Sequence, residues 1–196
     1  MQPLDSDVSK ATDVLDGVAS SEFSQAMTPA ELEAFLQAHG IAAKRVEHPP
    51  VFTVEESERL VPPLPGTKTK NLFLRDKKGT RHFLVSVPHD LAVDLDALAK
   101  SLATGRLGFA SPERLLRHLG VTPGSVSLLA LVNDTARVVE LVLDRRIFEA
   151  DAVHAHPLAN DATLIIAQSD LRRFLAATGH APRVIDVPGR GGTNQT

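Results

Sequence analysis

The chain has 196 residues, 43% hydrophobic and 23% charged, with a net charge of −3. That is an ordinary globular composition, long enough to bury roughly 70% of its unfolded surface without covalent staples. It holds no Cys, Trp or Tyr, and its aromatic side chains are eight Phe. These counts exclude disulfides, iron–sulfur clusters, cysteine zinc sites and cysteine nucleophiles, and they argue against a platform of stacked aromatics for single-stranded nucleic acid.

Residues 1–27 carry Asp5, Asp7, Asp13, Asp16 and Glu22 against Lys10, with sparse apolar positions. A secretory leader begins basic and continues apolar, so this stretch reads as an N-terminal extension, and the cytoplasm is the expected compartment. No apolar run reaches the roughly 18 residues of a membrane helix. The main domain is expected over 28–188, with 189–196 as a tail. Thr28-Pro29-Ala30-Glu31 is a capping box with Pro at the first helical position, and Gly40 stops that helix. A short strand follows at 41–47, then a second capped helix from Thr53 and a Pro-rich loop at 61–66. Residues 69–75 and 82–87 alternate around a polar turn and predict a hairpin, with Leu72 and Leu74 answered by Phe83, Val85 and Val87. Asp94 and Ser111 each open a helix. Strands are expected at 126–132, 136–143 and 163–167, then a helix capped by Ser169 and a closing strand over 183–187. Helices mixed with hairpins point to an α+β fold with a mixed, largely antiparallel sheet.

Charge is unevenly spread. Between 68 and 81, Lys68, Lys70, Arg75, Lys77, Lys78 and Arg81 face only Asp76, a local +5 on a remainder of −8. A solvated hairpin explains such a cluster, and so does a surface for a phosphorylated partner. Walker, dinucleotide, nucleophile-elbow and HExxH motifs are absent. Lys70 begins a strand, where an ammonium serves as a point charge for phosphate or carboxylate. Asn71 beside it brings a donor and an acceptor, on the opposite face of a regular strand. In Thr122-Pro123-Gly124-Ser125-Val126-Ser127 the glycine lets the backbone approach a ligand closely. His156 precedes a Pro157–Asn160 loop and Thr163. His154, His156 and His180 raise the alternative of a histidine metal site, but no carboxylate partner is evident in sequence. Each feature alone has an ordinary structural explanation.

Together they form an ordered set. The run Thr67–Asp76 resembles the lysine strand of freestanding prolyl-tRNA editing proteins, the ProX-type members of the YbaK family, which are related to the editing domain inserted in bacterial prolyl-tRNA synthetases. Leu119–Ser127 resembles their glycine loop. Asn133-Asp134, His156–Thr163 and Gly179–Pro182 are similar to the later blocks, in order. The resemblance implies a YbaK-like sheet or barrel flanked by helices, and hydrolysis of mischarged aminoacyl-tRNA, alanine on tRNA(Pro) above all. It implies that Lys70 holds the phosphate end of the terminal adenosine. Asn71, Ser125, Val126, Ser127, Asn160 and Thr163 would bind substrate, while Gly124 and His156 would line the aminoacyl pocket. Lys68, Lys77, Lys78 and Arg81 would meet the tRNA. No cofactor, metal, DNA or membrane is implied; prolyl-tRNA synthetase is a further candidate partner. One position departs from the pattern: Leu128 stands where the family's glycine loop carries proline. The rival reading is a non-catalytic module that binds tRNA ends or a synthetase.

Overall fold

The computed structural model describes residues 26–50, 59 and 63–191. The helix expected at Thr53 lies outside the described residues. Helix α1 (Pro29–Ala38) begins at the Thr28 capping box, in which the Glu31 carboxylate accepts from Thr28 N at 2.7 Å. Strand β1 (Ala43–Glu47) follows, and the predicted hairpin is formed by β2 (Thr69–Asp76) and β3 (His82–Pro88). Then come α2 (Leu95–Ser101), β4 (Leu107–Phe109), α3 (Pro112–Leu119), a 3-10 helix over Leu128–Asn133, and β5 (Val139–Asp144). The short α4 (Arg145–Phe148), β6 (Ala152–Ala155), β7 (Ala162–Ala167), α5 (Gln168–Thr178) and β8 (Arg183–Ile185) complete the described chain.

Two sheets result. One has the order β1-β7-β6 and is antiparallel; the other runs β4-β2-β3-β5-β8, with β3–β5 and β5–β8 parallel. An isolated bridge, Thr67 to Val153, joins them without closing a barrel. The fold is therefore α+β with mixed, largely antiparallel sheets. In the hairpin, Leu72 faces Val85 and Leu74 faces Phe83, as the alternation requires.

β3 is buried along its whole length because both of its faces are covered. Phe83, Val85 and Val87 pack with Leu98 and Leu102 around α2. On the other face Leu84 joins Phe73, the 3-10 helix and Phe174 of α5.

Two expectations fail. Residues 128–133 form a 3-10 helix rather than a strand, and only 139–144 of the following segment extends. The run Leu128–Val132 is apolar at every position, so it is buried whichever conformation it takes and its sequence has no period to read. Helix α5 starts at Gln168, with Ala167 in the cap position and no side-chain cap, so Ser169 already lies inside it. Among the described residues no helix is long and apolar enough to cross a membrane.

Candidate active site

The site is built where the start of β2 meets the end of β6. Gly66 has φ +102°, and a Cβ there would lie 2.9 Å from the Ala152 carbonyl oxygen, so only glycine admits this close approach. Thr67 N donates to Ala152 O at 2.8 Å and His154 N donates to Thr67 O at 3.0 Å. The Thr69 hydroxyl adds a bond to His154 O at 2.7 Å. Lys70 is thereby set on an anchored strand. Burial pushes its ammonium below the usual lysine range, and the Asp90 carboxylate opposes that shift.

Asn71 points to the other face of β2 and reaches the glycine loop. Its Nδ2 donates to Val126 O at 3.4 Å. Within that loop Gly124 has φ +94°, a conformation strained for any residue with a side chain. Ser125 N closes the turn on Thr122 O at 3.1 Å, and Ser127 Oγ accepts from Leu129 N at 3.2 Å. Ser127 is wholly buried, so its hydroxyl starts the 3-10 helix rather than facing a ligand. Leu128 sits in the main core. Burial of its side chain anchors the loop at the position where the family pattern carries a rigid ring. Asn71 Oδ1 and the Ser86 hydroxyl are both buried without a hydrogen-bond partner, and these residues are directly opposed across β2 and β3. Such orphaned atoms cost free energy, roughly 1–3 kcal/mol each, and tend to mark functional ground.

His156, just past β6, bonds through Nδ1 to Ala162 O at 3.1 Å. A carbonyl only accepts, so Nδ1 carries the proton and Nε2 keeps its lone pair. Burial holds this ring below the usual histidine range, with the Ala162 carbonyl and Asp161 opposing and His48 reinforcing. Thr163 Oγ lies 3.0 Å from His48 Nε2, and the His48 and His156 rings are 6.5 Å apart. Asn160 lies in the bend between β6 and β7.

Other candidates are placed elsewhere or already occupied. His154 Nε2 is bonded to Pro65 O at 2.9 Å, and His180 Nε2 to the buried Asp134 carboxylate at 3.1 Å. Among the described residues no three His, Asp or Glu side chains are grouped to hold a metal. The cations do not make one patch. Lys68 acts on His154 at the site, whereas Lys77 and Lys78 sit in the hairpin turn, roughly 23 Å along the strand from Lys70 at 3.3 Å per residue. Arg81 is held by Glu140 through two bonds of 2.7 and 2.8 Å, which offsets its charge. His48, Ser86 and Asp90 belong to the site region yet carry no motif signal; only the His48-Pro49-Pro50 strand end marked one of them.

Comparison with known proteins places the chain in a family. The profile of the aminoacyl-tRNA editing domain matches residues 48–174. A zebrafish (Danio rerio) prolyl-tRNA synthetase associated domain-containing protein 1 is 45% identical, over 79% of this chain and 85% of that protein. The prolyl-tRNA editing protein ProX of Acetoanaerobium sticklandii is 37% identical, over 72% of this chain and 87% of its own. A crystal structure of a hypothetical protein, APE2540, superposes with a TM-score of 0.63 at 22% identity, covering 80% of this chain and 98% of that one. That last likeness bears on the fold alone. The chain belongs to the aminoacyl-tRNA editing domain family, in its ProX-like, prolyl-tRNA-related branch.

Proposed function

We propose that the chain is a trans-editing deacylase that hydrolyses mischarged tRNA(Pro), with Ala-tRNA(Pro) as its substrate and residues 28–188 as its editing domain. The observation that carries this reading is the Asn71–Val126 hydrogen bond, which ties the lysine strand to the glycine loop. Lys70 holds the phosphate end of the terminal adenosine as a point charge. Asn71 sets the loop, so that backbone groups around Gly124 and Ser125 surround the aminoacyl moiety. His156 offers a neutral Nε2 to the same pocket.

The reaction needs no enzyme nucleophile. Water adds to the ester carbonyl, and the substrate's own terminal hydroxyl helps to orient it. The ester C–O bond to the ribose then breaks, and the proton released by water goes to the ribose oxygen. Free alanine and deacylated tRNA leave. Catalysis is positioning plus electrostatic stabilisation of the tetrahedral oxyanion. A second sieve of this kind answers a real need, since one methylene more or less changes binding by only ~1–3 kcal/mol.

Lys77 and Lys78 serve as phosphate contacts away from the reacting ester, with Lys68 nearer to it. The synthetase-associated module remains the second reading, because the zebrafish relative, at 45% identity, is named for association rather than editing. Alanine release from Ala-tRNA(Pro), Pro-tRNA(Pro) and Ser-tRNA separates the two. Loss of alanine alone supports editing; tRNA binding with no release from any of the three supports the module.

A further inference from the structure

His48 is absent from the motif set that marks the site, yet its geometry is fully specified. Its ring is almost buried, with 8% exposure. Nδ1 lies 2.9 Å from Pro49 O, and a carbonyl can only accept, so Nδ1 carries the proton. In the neutral ring Nε2 is then a lone pair, and the contact of 3.0 Å to Thr163 uses the threonine proton. The main chain adds a bond from His48 N to Asp161 O at 3.0 Å, which fixes the ring against the bend before β7.

The consequence falls on Thr163. A hydroxyl has one proton and two lone pairs. With the proton committed to His48, Thr163 Oγ presents only acceptor capacity to anything else. His156 is in the same condition: Ala162 O takes its Nδ1 proton, leaving Nε2 as an acceptor. The end of β6 and the start of β7 therefore carry two acceptors of fixed sense, each set by a carbonyl-anchored imidazole. Neither brings a negative charge.

We infer that His48 is a positioning residue that holds Thr163 as an acceptor beside His156, and that this acceptor pair binds the α-ammonium group of an aminoacyl ester. The inference rests on the editing reading for the identity of the ester, but the hydrogen-bond sense at Thr163 does not depend on it. An ammonium brings three N–H donors and no acceptor, which matches two lone-pair groups. An N-acylated aminoacyl group brings one donor, a bulky carbonyl and no charge, and would be refused.

The test uses the alanylamino analogue of the terminal adenosine, in which an amide replaces the ester, and its N-acetyl derivative. Binding of each to the full chain is measured by calorimetry. The unvaried protein is expected to prefer the free amine by about tenfold, the scale of a hydrogen bond to a charged group. His48→Phe and Thr163→Val should reduce that preference to about twofold or less. His48→Gln keeps an oxygen that accepts the Thr163 proton, and Thr163→Ser keeps the hydroxyl, so both should retain most of it. This rescue would not follow from a merely structural role. The inference is overturned if the unvaried protein binds both analogues equally, binds neither, or if the preference persists in His48→Phe and Thr163→Val. Hydrolysis of Ala-tRNA(Pro) is followed in parallel. Amine preference without hydrolysis rejects editing and keeps the acceptor pair, whereas hydrolysis without amine preference does the reverse.

Discussion

Two histidine clusters stand at opposite ends of the β2–β3 ladder, and they use the same side chain in opposite ways. At the hairpin end, the His82 and His118 rings lie 4.2 Å apart, tilted by 39°, and His82 stacks on Phe73. Arg114 donates to His82 Nε2 at 2.9 Å and to Gly79 O at 3.0 Å. That cluster consumes its own lone pair and ties the turn to α3. At the other end, His48 and His156 each turn Nδ1 to a main-chain carbonyl, which leaves Nε2 of the neutral ring as an acceptor, met at His48 by the Thr163 hydroxyl. Burial alone does not distinguish the two clusters. What does is which atom of the ring is left to meet a ligand.

If this contrast is right, variants of the site should cost activity and variants of the structural clusters should cost stability. The largest expected effect is on Lys70→Ala, which should lower alanine release by about a hundredfold or more while the melting curve stays near that of the parent. Gly124→Ala comes next on the functional side. Its φ of +94° costs a side chain about 1–2 kcal/mol, and activity should fall further than stability because the strain sits in the loop that surrounds the ester.

Asp134→Ala tests the structural side. Burial pushes the Asp134 carboxyl up, but bonds from His180, Val139 and Val138 outweigh it and hold the carboxyl below its usual range. Removing it strips a buried partner from His180 and from two backbone amides, at a cost of about 3–5 kcal/mol in chemical denaturation. A drop in activity with unchanged stability would break the contrast.

The pH dependence sharpens it. His82 and His118 are both pushed below the ordinary histidine range, chiefly by burial; His118 and Arg114 add to the shift at His82 against Asp76, and at His118 Asp134 opposes it against smaller contributions from Arg117 and Arg114. The unfolded chain takes up these protons near pH 6.5, the native state only at lower pH. Stability should therefore fall as pH drops below about 6.5, and His82→Phe with His118→Phe should flatten that slope. The smallest effect concerns the distant cations. Lys77→Ala with Lys78→Ala should weaken tRNA binding and reduce the salt slope by up to about two, one per phosphate contact, without changing which amino acid is released.

How far the sequence was legible follows from the same physics. The hairpin that carries Lys70 and Asn71 was readable because its strands alternate, and helices α1, α2 and α3 because Thr28, Asp94 and Ser111 cap them. The 3-10 helix was not, since Leu128–Val132 is apolar throughout. The start of α5 was missed because no side chain caps it. Lys70, Asn71, Gly124 and His156 are singled out by the resemblance to the editing family, each having an ordinary structural explanation alone. His48 is not: its role depends on a partner, Thr163, that is 115 residues away in sequence. Ser86 and Asp90 were likewise invisible, one becoming notable only when its hydroxyl proved buried and unpaired, the other only through its field on Lys70.

The central claim is that Lys70 and the glycine loop form an editing site. The most direct measurement is alanine release from Ala-tRNA(Pro) by the unvaried chain and by Lys70→Ala, with Pro-tRNA(Pro) as the reference. The account predicts release from Ala-tRNA(Pro) only, lost in a Lys70→Ala protein that melts like its parent. Equal release with and without Lys70, or no release while tRNA still binds, would contradict it.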